Sequence, residues 1–136
     1  GAAAMLMLWG RGRQLADPKR LGRWGQRQAE RFLRRKGCRT IARNYGFRGG
    51  EIDLIAADQG GAVVFVEVKT RRSEDYATAI SAVNFQKQKK IIRTAKRFLG
   101  RYKLPDRPLR FDVVTVILPP QGPPLIRHYP GAFRPK

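Results

Sequence analysis

Apolar residues recur along the chain with two different spacings, which alternate from segment to segment. In residues 21–36 and 84–99 they return every three or four positions, which predicts two amphipathic helices. Four segments carry the alternating or β-branched apolar residues typical of strands: residues 39–47, 51–57, 62–70 and 110–118. The predicted order is therefore α-β-β-β-α-β, which is typical of an α/β domain with a mixed β-sheet flanked by helices.

The same pattern divides the chain into three parts. Glycines and a proline interrupt any regular spacing in residues 1–20, which we interpret as a tag remnant of four residues followed by a flexible basic arm. Residues 21–118 form the predicted α/β domain. Residues 119–136 hold six of the nine prolines, so we expect an extended or irregular C-terminal tail there.

The residue counts exclude several classes of protein. One cysteine and one histidine cannot form a disulfide framework or a Cys/His zinc site. No apolar run approaches the roughly 20 residues that a membrane-spanning helix needs, and the apolar residues near the N-terminus are too few for a signal-peptide core. We therefore expect a reduced, cytoplasmic protein with no membrane partner.

The net charge of +19 comes from 29 basic and 10 acidic residues. Such a charge attracts polyanions, and nucleic acid is the first candidate partner because Lys and Arg that neutralise phosphates release counterions. An anionic membrane surface is the alternative polyanion. Residues 49–68 break the pattern because they contain no Lys or Arg and four acids: Glu51, Asp53, Asp58 and Glu67. A bound divalent cation would explain this acidic cluster, since it inverts the local charge.

Asp53, Glu67 and Lys69 are the residues that we expect to carry chemistry. Alternation places Glu67 and Lys69 on one face of their strand. A three-residue turn between the two strands would set Asp53 opposite Glu67, whereas a two- or four-residue turn would place them on opposite faces. Two facing carboxylates repel each other, and Mg²⁺ or Mn²⁺ would relieve that repulsion. The resulting chemistry is metal-assisted phosphodiester hydrolysis; the alternative is an ordinary Glu-Lys ion pair.

Four motifs carry a resemblance to a known family: Asn44-Tyr45, Gly-Glu-Ile-Asp-Leu-Ile-Ala at 50–56, Phe-Val-Glu-Val-Lys-Thr-Arg at 65–71 and Arg-Phe-Asp-Val-Val at 110–114. Over residues 21–117 the chain resembles the bacterial YraN-like family. That family is similar to archaeal Holliday-junction resolvases and belongs with the PD-(D/E)xK nucleases. The resemblance implies a restriction-endonuclease-like three-layer core in which Asp53, Glu67 and Lys69 form the central motif. It also makes Val68 a candidate metal ligand.

The first helix departs from the family pattern. Where the family usually has Gly-Glu, this chain has Gly25-Gln26. Related nucleases use that Glu to complete the metal shell, so we count the neutral Gln26 as a catalytic candidate but a weaker ligand. Glu30, one turn away, and Glu51 are candidate supporting carboxylates. The residues that we expect to contact nucleic acid are Arg48, Arg71, Arg72 and Lys87.

These observations predict a metal-dependent DNA endonuclease of the PD-(D/E)xK type, with branched DNA as one candidate substrate. Two alternatives remain open. One is a non-catalytic nucleic-acid-binding module on the same fold. The other is an RNA- or ribosome-associated basic protein in which Glu67 and Lys69 are merely paired. The sequence also leaves open whether the protein forms a homodimer.

Overall fold

The computed structural model describes residues 15–47, 50–72, 83–104 and 106–135 of the 136-residue chain. Within these residues the elements run α1 (Pro18–Arg35), β1 (Arg39–Tyr45), β2 (Ile52–Ala57), β3 (Val63–Arg72), α2 (Phe85–Tyr102), β4 (Leu109–Leu118) and β5 (Leu125–Phe133). Neither helix in this part of the chain is long and apolar enough to cross a bilayer. Most of the predicted arm lies outside the described residues.

Helix α1 begins three residues earlier than its apolar stripe predicts. Asp17 caps it, because the Asp17 carboxylate accepts a hydrogen bond from the backbone N–H of Lys19 at 3.0 Å. Pro18 occupies the start of the first turn, where a missing N–H costs nothing. These signals lie outside the periodic segment, so periodicity alone did not locate the start of the helix.

The five strands form one mixed sheet in the order β1-β2-β3-β4-β5. Strands β1, β2 and β3 are antiparallel neighbours. Strand β4 runs parallel to β3, and α2 lies in the crossover between them. Strand β5 returns antiparallel to β4 and forms the other edge.

Each face of the sheet is covered by one helix. On one face the buried cluster combines Ala29 and Leu33 of α1 with Val64 and Val66 of β3. On the opposite face Phe65 packs with residues of α2: Ile91, Ala95 and Phe98. The predicted three-layer α/β core of the restriction-endonuclease-like type is therefore confirmed.

The turn between β2 and β3 has the length that the site requires. The Asp58 N–H donates to the Ala62 carbonyl at 3.0 Å, which leaves three residues, 59–61, in the turn. The strands pair Ala57 with Val63 and continue to Leu54 with Val66. One residue beyond its last pair, this register aligns Asp53 with Glu67, as a three-residue turn predicts.

The C-terminal segment differs from the expected element order, because its residues 125–133 form β5. The fully buried Asp112 of β4 anchors this strand by accepting hydrogen bonds from the Gly131 N–H at 3.0 Å and Arg110 Nε at 2.8 Å. His128 Nε2 lies 2.6 Å from the same carboxylate. Burial disfavours the charged carboxylate, but the hydrogen bonds from His128 and Arg110 hold the pKa of Asp112 below its ordinary value. This network is structural.

Candidate active site

The candidate site begins where β2 and β3 stop pairing. The last pair of their ladder is Leu54 with Val66, whereas β3 continues beside β4 as far as Arg72. In the space that opens, the Asp53 carboxylate takes the place of a backbone acceptor. Its Oδ2 accepts a hydrogen bond from the Val68 N–H at 2.7 Å. Asp53 is thereby held beside the segment that carries Glu67 and Lys69.

The Asp53 carboxyl group resists ionisation. Burial, and next the nearby Glu67 charge, raise the pKa of Asp53 from 3.8 to about 7, against the opposing hydrogen bond from Val68. A neighbouring like charge raises the pKa of a carboxyl group in this way. A bound cation would favour the ionised form of Asp53.

Glu67 is 3% exposed and lies between two ammonium groups. Its Oε1 is 3.4 Å from Lys69 Nζ and 3.3 Å from Lys87 Nζ on α2. Burial and the neighbouring Lys87 lower the pKa of Lys69. The other oxygen, Oε2, is buried and has no hydrogen-bond partner among the described residues. Such an atom is costly unless a ligand or water satisfies it.

A cavity of about 620 Å³ opens beside these residues. Asp53, Val68 and Lys69 line it from the strands, and Gln26 lines it from α1. Glu67 does not line the cavity itself; it contacts Lys69, which does. The cavity therefore brings together Gln26 and the strand residues of the predicted catalytic set, with Glu67 in contact behind them.

Gln26 reaches the cavity because α1 lies unusually close to β3. The neighbouring residue Gly25 is buried against Thr70, and a Cβ built on Gly25 would overlap the Thr70 side chain. Only glycine permits this approach. The Gly25-Gln26 pair therefore combines a contact that brings the helix close with a polar side chain at the cavity.

Of the other residues that the sequence predicts for the site, some line the cavity and others do not. Glu51 is exposed and lines the cavity, as do Arg71 and Arg72. Arg71 and Arg72 also donate to backbone carbonyls, at 2.8 Å to Thr70 and 2.5 Å to Leu15. Lys87 contacts Glu67 and is not among the cavity-lining residues. Arg48 lies outside the described residues.

Glu30 is engaged elsewhere. Its carboxylate accepts hydrogen bonds from Thr40 Oγ1 and Arg43 Nη2, both at 2.6 Å, and it does not line the cavity. These partners, the Arg43 bond foremost, lower the pKa of Glu30. The structure thus ties Glu30 to β1 and does not bring it to the candidate site.

Asn44 also lines the cavity, although sequence reasoning did not select it as a site residue. The pairing of Arg43 with Leu54 and Tyr45 with Ile52 places Asn44 opposite Asp53. Its φ of 51° lies in the left-handed region that Asn tolerates better than most residues. The Asn-Tyr-Gly sequence before the turn is the signal that could have marked this position.

The carboxylates of the site supply only part of the ligand set that a hard divalent cation needs. Asp53 and the orphaned Oε2 of Glu67 supply two carboxylates, which is the number that Mg²⁺ commonly takes from protein. Among the described residues no cluster offers three or more His, Cys, Asp or Glu side chains to a metal. The remaining ligands would be water, substrate oxygens, and the amide oxygens of Gln26 or the Val68 backbone. With these additional oxygen ligands, the residues of the site fit Mg²⁺ or Mn²⁺.

The element order, together with an Asp and a Glu-x-Lys on adjacent strands, defines a protein of the restriction-endonuclease-like α/β class. The chain belongs to the uncharacterised protein family UPF0102, the YraN-like family, whose family model matches residues 25–116. It is 48% identical over 115 residues to a UPF0102 protein of Symbiobacterium thermophilum, covering 85% of this chain and 97% of that protein. It is 40% identical to one of Trichlorobacter lovleyi (83% and 89% covered) and 42% identical to one of Nocardia farcinica (88% and 94% covered).

Proposed function

We propose that this protein is a metal-dependent DNA endonuclease that hydrolyses phosphodiester bonds. The observation that carries the proposal is the pair of facing carboxyl groups. Asp53 has its pKa raised to about 7 by burial and by Glu67, and Glu67 keeps a buried oxygen without a partner. Two neighbouring buried carboxyl groups cannot both ionise without a cost in stability, and a divalent cation held between them would offset that cost.

The residues of the site would have different roles in hydrolysis. Asp53 and Glu67 would hold Mg²⁺ or Mn²⁺, with Val68 and Gln26 as further oxygen donors. When bound, the cation polarises the phosphate and lowers the pKa of a water molecule. The attacking water gives up a proton to solvent as its oxygen bonds to phosphorus, the phosphorus–oxygen bond to the leaving group breaks, and the leaving oxygen takes up a proton from solvent. We expect Lys69, which lines the cavity, to orient the attacking water and to neutralise charge on the phosphate.

The basic surroundings support DNA as the substrate. Arg71 and Arg72 line the cavity beside Asp53, and the chain carries a net charge of +19. Positive side chains around a hydrolytic centre position the phosphate backbone without reading its sequence. We therefore expect contacts to phosphates to dominate binding.

A cleavage assay tests the proposal. Purified protein is incubated with linear and branched DNA and Mg²⁺ or Mn²⁺, and the products are separated on denaturing gels. We expect metal-dependent cleavage that Lys69→Ala and Asp53→Asn each reduce at least a hundredfold. Asp106→Asn and Lys103→Ala, which change exposed residues outside the cavity, are the matched controls and should retain cleavage.

One observation favours a second candidate function, a nucleic-acid-binding module without turnover. Position 26 is a neutral glutamine, and the described residues offer the metal two carboxylates rather than three. DNA binding that persists without cleavage under either metal, and that Asp53→Asn leaves unchanged, would establish the module and overturn the endonuclease.

A further inference from the structure

The connection between β1 and β2 carries an exposed aromatic ring. Phe47 is 77% exposed, more than any other large hydrophobic residue in the described part of the chain. Its carbonyl accepts a hydrogen bond from the Gly50 N–H at 2.9 Å. Single exposed hydrophobic residues are common on protein surfaces, so the meaning of this ring depends on the side chains near it.

The turn is held against α2. A Cβ built on Gly50 would come within 2.8 Å of Thr94 Oγ1, so the backbone there lies directly on the helix. Thr94 is itself fixed, because its hydroxyl donates to the Lys90 carbonyl at 2.9 Å. A Cβ built on Gly46, the residue before Phe47, would also lie 2.8 Å from the Thr94 side chain, so the backbone next to the ring packs on α2.

Three cationic side chains share a shallow cavity with this ring. Phe47, Lys90, Arg93 and Arg97 line one shallow cavity of about 160 Å³, together with Gly50 and Thr94. No acidic residue lines it, and within the described ranges none of the three cations forms an ion pair. Cations without counter-charges favour a polyanion over an apolar protein partner.

This surface adjoins the candidate active site. Gly50 lines the shallow cavity that holds Phe47, and the next residue, Glu51, lines the active-site cavity. The two cavities are therefore lined by consecutive residues of the chain.

We propose that Phe47, Lys90, Arg93 and Arg97 form a subsite for an unpaired nucleotide of a DNA strand, with the base stacked on Phe47 and its flanking phosphates on the cations. A base inside a duplex has both faces covered by its neighbours, so the ring can stack only on a base outside the helix. Substrates with unpaired nucleotides beside the scissile bond are thus preferred over uninterrupted duplex. The proposal rests on the proposed function for the position of the scissile bond, whereas the subsite itself needs no catalysis.

Binding in the presence of EDTA tests the subsite independently of cleavage. Fluorescence anisotropy is measured with three labelled ligands of equal length: a dT 15-mer, a duplex, and a 15-mer with abasic positions. We expect Phe47→Ala to weaken binding of the dT 15-mer roughly tenfold, within the range given by base–aromatic stacking. Binding of the duplex and the abasic strand should change less than twofold. Phe47→Trp should restore binding of the dT 15-mer.

Two controls sharpen the test. Phe85→Ala removes a second exposed ring of the described chain, which already carries Lys89 Nζ 4.6 Å from its centroid, and should leave all three affinities unchanged. Arg93→Ala should weaken all three ligands, because it removes a phosphate contact. Thermal unfolding verifies that each variant is folded.

The subsite is overturned if Phe47→Ala weakens all three ligands equally or none of them, and the assignment to DNA is overturned if an rU 15-mer binds more tightly than dT. Failure of the proposed function gives a different result. In that case Phe47→Ala still weakens binding of the dT 15-mer alone, but the protein cleaves no DNA with Mg²⁺ or Mn²⁺.

Discussion

Asp53 is the residue that most directly links the stability of the fold to the proposed chemistry. Burial and Glu67 raise its pKa from 3.8 to about 7, so the folded chain binds this proton more tightly than the unfolded chain does. The stability from this protonation is fully present below pH 3.8 and is lost as the pH rises through about 7. At neutral pH and above, the metal-free site is therefore a local source of instability.

We expect Asp53→Asn to be more stable than the wild type at pH 8 without divalent cations, by on the order of 2 kcal/mol. An asparagine has no charge to desolvate, and its amide oxygen can still accept the Val68 N–H. The advantage should vanish near pH 4, where both side chains are neutral. Urea unfolding at pH 4, 6 and 8 with EDTA measures it, with Asp106→Asn as the control. An equal difference at all three pH values would contradict the assigned pKa.

Gln26 offers a second test at this scale. Gln26→Glu adds a carboxylate to the cavity that Asp53 lines, and more ligand charge strengthens the binding of hard cations. We expect the affinity for Mn²⁺ to rise roughly tenfold, measured from the rise of the unfolding temperature with Mn²⁺ concentration. Gln28→Glu, on the same helix but outside the cavity, is the control. Equal effects of the two variants would show that only the general charge matters.

At the scale of elements, the close approach of α1 to β3 determines the shape of the cavity. Gly25 lies against Thr70 with no room for a side chain, whereas Gly22, one turn earlier, has nothing within 4 Å of a Cβ built on it. The two glycines of one helix therefore differ in what they do. One permits packing, and the other only weakens the helix.

We expect Gly25→Ala to destabilise the protein by about 1–3 kcal/mol through overpacking, and Gly22→Ala to stabilise it by about 0.5–1 kcal/mol through helix propensity. Chemical unfolding of the two variants measures both changes. If both alanines stabilised the protein, α1 would not lie as close to β3 as the structure places it.

The parts of the site that were predictable from sequence depend on short-range geometry. Asp53 and Glu67 are joined by one tight turn, and strand alternation carries their relation along the ladder. The contact of Lys87 with Glu67 is different, because it depends on how α2 lies across the sheet. Strand β5 was not predicted because its Pro130 and the four prolines at 119–124 suggest irregular structure. Its attachment through Asp112 joins residues that are far apart in sequence.

At the scale of the whole molecule, both outer layers are basic. Helix α1 and helix α2 each carry seven Lys or Arg among 18 residues, and α2 has no acidic residue. The two helices cover opposite faces of the sheet. The protein therefore presents positive charge on two sides, and the cavity of the candidate site opens between α1 and the strands.

DNA binding should fall steeply with salt for this reason. We expect the affinity for a 20-base-pair duplex to drop roughly a thousandfold between 50 and 200 mM NaCl, as for proteins that make about six or more phosphate contacts. Anisotropy titrations in EDTA at several salt concentrations measure the slope. A slope near zero would show that the net charge of +19 does not act through phosphate contacts.

The three residues of the turn at 59–61 have a consequence for how the chain tolerates changes of length. Residues paired directly across an antiparallel ladder point to the same face of the sheet, so Asp53 and Glu67 keep their relation as long as Asp58 stays paired with Ala62. One residue added to or deleted from the turn therefore leaves the site intact. One residue added inside the ladder, between Leu54 and Ala57, moves Asp53 to the other face and separates it from Glu67.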